Sequence, residues 1–136
     1  MYRKKFSTLL AASVATTAAF TFAAPSAEAG QGLSGQEIKS KIAGKRIFLR
    51  APLGGEFPLR YRKNGVVIGD GSALGLGKYM APKESGRWWV QNDQLCQQWH
   101  SWYKGKVACF QLFETGQNKL YWKRDDGRSG KARIAN

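Results

Sequence analysis

GRWWVQNDQLCQQWHSWYKGKVACFQLFETGQNKLYWKR, residues 86–124, is the stretch on which the fold turns. Apolar and aromatic residues alternate with polar ones in short runs, and each run stops at a turn signal. The candidate strands are 87–91, 94–102, 107–114 and 119–123, with a further one at 129–135. Between them stand Asn92-Asp93, Lys104-Gly105, Gly116-Gln117-Asn118 and Asp125-Asp126-Gly127. Strands that follow one another at this spacing predict antiparallel pairing in a small barrel or sandwich.

Consecutive residues of a strand face opposite sides of the sheet. Trp88 and Trp89 therefore cannot both enter one core, nor can Tyr121 and Trp122. At least two large aromatics are expected to be exposed, at strand ends or inside a barrel lumen. With Trp99, Trp102 and Tyr103, and interleaved with Lys104, Lys106, Lys119 and Lys123, they resemble a stacking and cationic surface. A nucleic-acid surface would look similar.

Working upstream, residues 69–86 are rich in glycine and read as a long loop with a short strand at 76–80. Its Gly-x-Gly pairs lack the following helix and the Gly-Lys-Ser/Thr of a phosphate loop. Before it, 45–51 and 57–62 alternate as half-buried strands with arginines on the wet face. Pro58 argues for an edge or bulge in the second. Pro52-Leu53-Gly54-Gly55 connects the two, and Asn64-Gly65 predicts a two-residue hairpin into Val66-Val67-Ile68. Earlier still, Leu33-Ser34-Gly35-Gln36-Glu37-Ile38 starts a helix. Ser34 and Glu37 form a capping box, Leu33 and Ile38 a hydrophobic staple, and Gly44 the stop. The expected architecture is mainly β, an antiparallel barrel or sandwich of about eight strands, with this one short N-terminal helix over an end or face.

Residues 1–29 read as a secretory signal peptide: Arg3, Lys4 and Lys5, an uncharged run from Leu9 to Ala24, and the cleavage pattern Ala27-Glu28-Ala29. Processing would leave residues 30–136 as a single domain with no membrane span. Its 19 Lys plus Arg against 8 Asp plus Glu give a net charge of +11. Two segments carry that charge, 45–63 at +5 and 119–136 at +4, against +1 for residues 64–118. A chain this basic attracts polyanions. Export argues against nucleic acid as the normal partner and places the protein in the periplasm or outside the cell.

Cys96 and Cys109 are an even pair in an exported chain, which predicts a disulfide stabilising by about 3 kcal/mol. The pairing constrains the register. A tight turn on Lys104-Gly105 would set Cys96 opposite Phe113, so the bond requires a shifted turn or a bulge between Gln97 and Lys106.

Catalytic chemistry finds little to work with. His100 is the single histidine, no Gly-x-Ser-x-Gly elbow occurs, and neither a metal site nor a cofactor is expected. Asp125-Asp126-Gly127 lacks the acidic residues a calcium loop needs. Asp93, Glu84 and Glu114 could serve as paired carboxylates only if the fold joins them. The expectation is a non-enzymatic protein. Arg46, Arg50, Arg60, Arg62, Lys123 and Arg124 supply charge, and Trp102 and Tyr103 supply stacking, for an anionic envelope component: lipid A, anionic phospholipid or acidic polysaccharide. The other reading is a module that binds an exported protein, such as an inhibitor of a cell-wall hydrolase, with the 69–86 loop inserting.

The run Gly86-Arg87-Trp88-Trp89-Val90, then Leu95-Cys96-Gln97-Gln98-Trp99, then Cys109-Phe110, resembles the G-x-W-x-V, L-C-x-x-W and C-F pattern of a family of small exported proteobacterial proteins, domain of unknown function 995. The Leu33-Ser34 helix start matches as well. The resemblance implies a bacterial envelope location and a Cys96–Cys109 disulfide. It confers no catalytic role on any residue.

Overall fold

The computed structural model describes residues 30–52, 54–74 and 83–136. The expected signal peptide and the strand expected at 76–80 lie outside the described residues. Among the described residues the chain forms one α-helix, α1 (Gly35–Ile42), two single-turn 3-10 helices (Gly71–Leu74 and Trp102–Gly105) and eight strands. The strands are β1 (Arg46–Arg50), β2 (Glu56–Tyr61), β3 (Val66–Gly69), β4 (Glu84–Gln91), β5 (Gln94–Trp99), β6 (Ala108–Gly116), β7 (Lys119–Arg124) and β8 (Ser129–Ala135). Each pairs antiparallel with the next, and β1 pairs with β8, so the sheet closes into a barrel.

The helix forms as its cap dictates. Glu37 N–H donates to Ser34 Oγ (3.3 Å) and Ser34 N–H to Glu37 Oε2 (2.8 Å), so two otherwise orphan donors are satisfied. Leu33, Ile38 and Ile42 enter the core cluster, and Ile38 and Ile42 are fully buried. Gly44, at φ +78°, turns the chain into β1. Gly35 N–H donates to Asp93 Oδ1 (2.7 Å) and Lys41 pairs with Glu114 (2.9 Å), which fastens the helix over one end of the barrel.

Alternation then assigns the interior. Ile47, Leu59, Tyr61, Val67, Trp88, Leu95, Trp99, Leu112, Leu120 and Ala132 point inward and are buried. Burying each of the larger ones contributes roughly 1.5–3 kcal/mol. The aromatic pairs divide as alternation requires: Trp88 is buried and Trp89 half-buried on the other face. The outward aromatics are partly covered by neighbours, as Phe48 is by the Arg133 guanidinium 4.0 Å from its ring centre. Among the described residues Tyr103, not a strand aromatic, is the exposed one.

Four local expectations change. Pro58, expected at an edge or bulge, lies in plain register opposite Phe48 in a strand with neighbours on both sides, and is tolerated because the β2–β3 pairing begins only at Leu59. The Asn64-Gly65 turn has three residues, Lys63-Asn64-Gly65: Tyr61 pairs with Val67, Arg62 N–H donates to Val66 O (2.8 Å), and Gly65 takes the left-handed position at φ +86°. The glycine-rich 69–86 segment contributes its ends to the ladder, since Gly69 closes β3 and β4 begins at Glu84. Gly86 is a strand residue because a Cβ there would stand 2.4 Å from the Gln98 carbonyl oxygen. Finally, β5 stops at Trp99 and β6 starts at Ala108, so His100 is an exposed loop residue rather than a strand residue.

The last change follows from the disulfide. Cys96 and Cys109 are bonded and lie directly opposite each other, with Cα atoms 4.1 Å apart. That register leaves residues 100–107 outside the ladder as an irregular loop in which Tyr103 and Lys104 take φ values of 56° and 58°. Among the described residues no helix is long and apolar enough to cross a membrane. Replacing both cysteines (Cys96→Ala with Cys109→Ala) is expected to cost about 2–4 kcal/mol. Urea unfolding should show a lower midpoint and, because the unfolded chain loses its cross-link and expands, a slope that does not fall; an unchanged midpoint would show that the β5–β6 ladder holds without the bond.

Candidate functional site: the barrel lumen and its rim

An eight-stranded barrel has an interior just wide enough either to be filled by side chains or to hold one small ligand. Here it is only partly filled. A cavity of about 470 Å³ runs between Leu49, Leu59, Leu95, Leu112 and Leu120, with Ile42 of the helix among its lining residues. Small-molecule sites usually span roughly 300–1,000 Å³ and are mostly apolar with a few placed polar groups. Two of those groups are Tyr61 and Gln97, whose side chains share a buried hydrogen bond of 2.8 Å from the Tyr61 hydroxyl to Gln97 Oε1. Burial pushes the Tyr61 hydroxyl far above the usual phenol range, so it stays protonated as a donor.

At the end opposite α1 the lining becomes cationic: Arg50 from the end of β1, Arg124 from the end of β7, Arg128 beside β8, and Tyr103 from the 100–107 loop. The barrel seam accounts for this. Because β8 pairs with both β1 and β7, the two basic segments, distant in sequence, arrive at one rim.

Arg124 is the most enclosed of the three, with 12% of its side chain exposed. Its guanidinium carbon lies 4.7 Å from the Tyr103 ring centre and 5.9 Å from that of Phe110. Both rings present π faces suited to a cation. Asp125 and Asp126 approach Arg124 Nε at 3.8 and 3.5 Å, but neither makes a hydrogen bond to it, and among the described residues Nε has no hydrogen-bond partner. Each aspartate accepts a backbone donor on its other oxygen, Asp125 from Cys109 N–H (3.3 Å) and Asp126 from Arg128 N–H (3.0 Å), and Asp126 Oδ2 also lies 3.6 Å from Arg128 Nε, so part of the rim's charge is already paired. Trp122, two residues before Arg124 on the same inward row, has a buried indole N–H likewise without a partner. Its ring lies over Gly130, where a Cβ would fall 2.6 Å from the ring.

The loop that carries Tyr103 is pinned by Glu84. Its carboxylate accepts the backbone N–H groups of Ser101 (3.0 Å) and Trp102 (2.8 Å) and the Ser101 hydroxyl. Burial alone would raise the Glu84 pKa, but these hydrogen bonds together outweigh it and hold it below the ordinary 4.5.

The residues expected to bind are split by the fold. Arg50, Tyr103 and Arg124 meet at the rim. Arg46, Arg60 and Arg62 gather instead around a shallow outer cleft with Lys83 and Asp70. Arg46 stands directly opposite Arg60, a like-charge placement that costs stability. Lys123 is exposed on the outer face opposite Gln111. Trp102 is not a free stacking platform. It is half-buried against Phe57 and Trp99, with ring centres 5.6 and 4.7 Å apart. The three carboxylates are not brought together: Glu84 serves the rim loop, while Asp93 and Glu114 hold the helix at the opposite end.

Sequence reasoning passed over Arg128 and Gln97, weighed Glu84 only as one of a carboxylate pair, and placed Trp122 only among the surplus aromatics. For Trp122 a signal existed, because period-two alternation places it on the same face as Arg124. Glu84 acts across 17 residues of chain and leaves no local trace.

A carboxyl whose folded pKa is depressed stabilises the fold above its unfolded value, and that contribution is lost as pH falls through the folded value. The protection of the Ser101 and Trp102 amides, relative to their intrinsic exchange rates, should therefore hold down to about pH 4.5 and fall below it. Glu84→Gln should show fast exchange at neutral pH while the rest of the barrel keeps its protection. Equal protection in this variant would show that the loop is held by other contacts. Comparison of the chain with protein-family models, curated proteins and solved structures found no significant match.

Proposed function

We propose that this protein works in the bacterial envelope or outside the cell as a non-enzymatic binder of an anionic envelope component. In this reading the barrel lumen receives the apolar part and the rim arginines receive the charge. One observation carries the proposal: an apolar cavity of about 470 Å³ that ends at Arg50, Arg124 and Arg128. Apolar burial supplies affinity, and the arginines select against neutral and cationic molecules. Of the three candidates raised by the sequence, the lumen favours those with an acyl chain over an acidic polysaccharide, which has no apolar segment to bury. The volume suits one chain, so a lipid with several chains would insert only one.

The outer cleft at Arg46, Arg60 and Arg62 has a different part in this proposal. An exposed cationic surface draws the protein toward an anionic membrane, and salt screens it. The exported-family resemblance and the disulfide are in keeping with an oxidising compartment.

The test is an amide NMR titration of the oxidised protein with lyso-phosphatidylglycerol, at low and near-physiological salt. Shifts at Leu59, Leu112 and Leu120 that survive salt are the expected result. Shifts confined to Arg46, Arg60 and Arg62 that vanish with salt would leave only a charged exterior and sink the lumen reading. Arg60→Ser with Arg62→Ser should flatten the salt dependence of vesicle binding without altering the lumen shifts.

A further inference from the structure

We propose that the occupant of the lumen is a single-chain amphiphile with one carboxylate head. The head lies on Arg124 just inside the rim, and the chain runs down the barrel toward Ile42. The inference rests on the lumen reading above and narrows it to a ligand class.

The argument starts from unsatisfied donors. A guanidinium removed from water is costly unless it is paired and hydrogen-bonded. Arg124 is mostly enclosed, and its Nε–H has no hydrogen-bond acceptor among the described residues: Asp125 Oδ1 and Asp126 Oδ2 face it at 3.8 and 3.5 Å, as ion-pair partners beyond hydrogen bonding, while their other oxygens accept backbone donors. The indole N–H of Trp122, a donor with no acceptor capacity, is buried and unpartnered on the same inward row. The third such donor, Trp99 Nε1, belongs to a side chain packed at a tilt against Trp102 and outside the lining of this cavity. A row of the lumen wall thus holds two donors without a hydrogen bond, one of them beside two aspartates that approach it without bonding. An ionised carboxylate is acceptor-only and can take a guanidinium on both oxygens. A neutral alcohol brings one oxygen and no charge.

The rest of the cavity specifies the tail. Beyond Arg124 and Trp122 the lining is Leu112, Leu120, Leu59 and Ile42, which gives a chain apolar contact along its length. Tyr103 completes the site from above. It lines the same cavity, its ring lies over the guanidinium, and Glu84 fixes its loop. A head group on Arg124 would sit beneath that ring, in a setting drier than the rim.

The experiment compares three probes on the oxidised protein: dodecanoate, dodecanol and lyso-phosphatidylglycerol. Affinity is read from tryptophan fluorescence and location from the Trp122 indole N–H resonance. Dodecanoate should bind about tenfold or more tighter than dodecanol and should move the Trp122 resonance. Arg124→Gln should erase that difference by weakening dodecanoate alone. Lys131→Ser, at an exposed position on the outer face of β8 opposite Tyr121, should leave it intact. Should Arg124→Gln not fold, the comparison of probes on the unaltered protein still decides. Equal affinity for dodecanoate and dodecanol, with lumen shifts present, would overturn the carboxylate site and spare the lumen reading. Tighter binding of lyso-phosphatidylglycerol than of dodecanoate would overturn it in favour of a phospholipid head. Absence of lumen shifts with all three probes would overturn both.

Discussion

Everything in this molecule depends on the ladder between β1 and β8, from Arg46 opposite Ala135 to Leu49 opposite Ala132. Without it the eight strands would form an open meander with two exposed edges, a template for pairing with other chains. With it, each strand acquires an inside and an outside. The inward rows of Ile47, Leu59, Leu112 and Leu120 then converge on one axis instead of spreading over a flat face. The cavity is a product of that closure, and so is its cationic rim.

The seam also resolves a question that composition raises. Two basic segments separated by more than fifty residues have no reason to meet in a chain read linearly. Strand closure makes them neighbours, and the antiparallel course of β1 and β7 then distributes their arginines. Arg50 and Arg124 end their strands at the rim, whereas Arg46 begins β1 near the helix. A single basic segment therefore serves two surfaces, one concave and one convex. On the convex face some charge is locally neutralised, since Arg133 forks onto Glu56 with two contacts of 2.6 Å. The Arg46–Arg60 pairing has no such relief among the ion pairs of the described residues.

Much of the architecture was legible in local chemistry. The Ser34–Glu37 box, the Gly44 stop and the alternating runs need only nearest neighbours to be read, and the fold uses all of them. The cysteine pair was informative at longer range, because it required the 97–106 stretch to depart from a plain hairpin, and the stretch does so. Features set by tertiary contact were not legible. Glycine composition suggested a loop through Gly86, but tight packing on the Gln98 backbone is what demands a glycine there. Trp102 looked like a free platform until Phe57, more than forty residues away, was placed against it. For the site, the fold brings Arg50, Tyr103 and Arg124 of the expected set to one rim and leaves Arg46, Arg60 and Arg62 elsewhere. The lumen itself could not be foreseen, because barrel and sandwich share the same alternation.

The order of the ladders has a kinetic corollary. Seven of the eight join strands adjacent in the chain, and each can form as a hairpin with a small loop-closure cost. Only the seam unites strands more than eighty residues apart, so it carries most of the non-local character that slows folding. Until it forms there is no enclosed volume at all. Any molecule held inside recognises the closed state alone, and by mass action it would favour closure over the open meander. The occupant of the barrel would thus act as a late template for its own container.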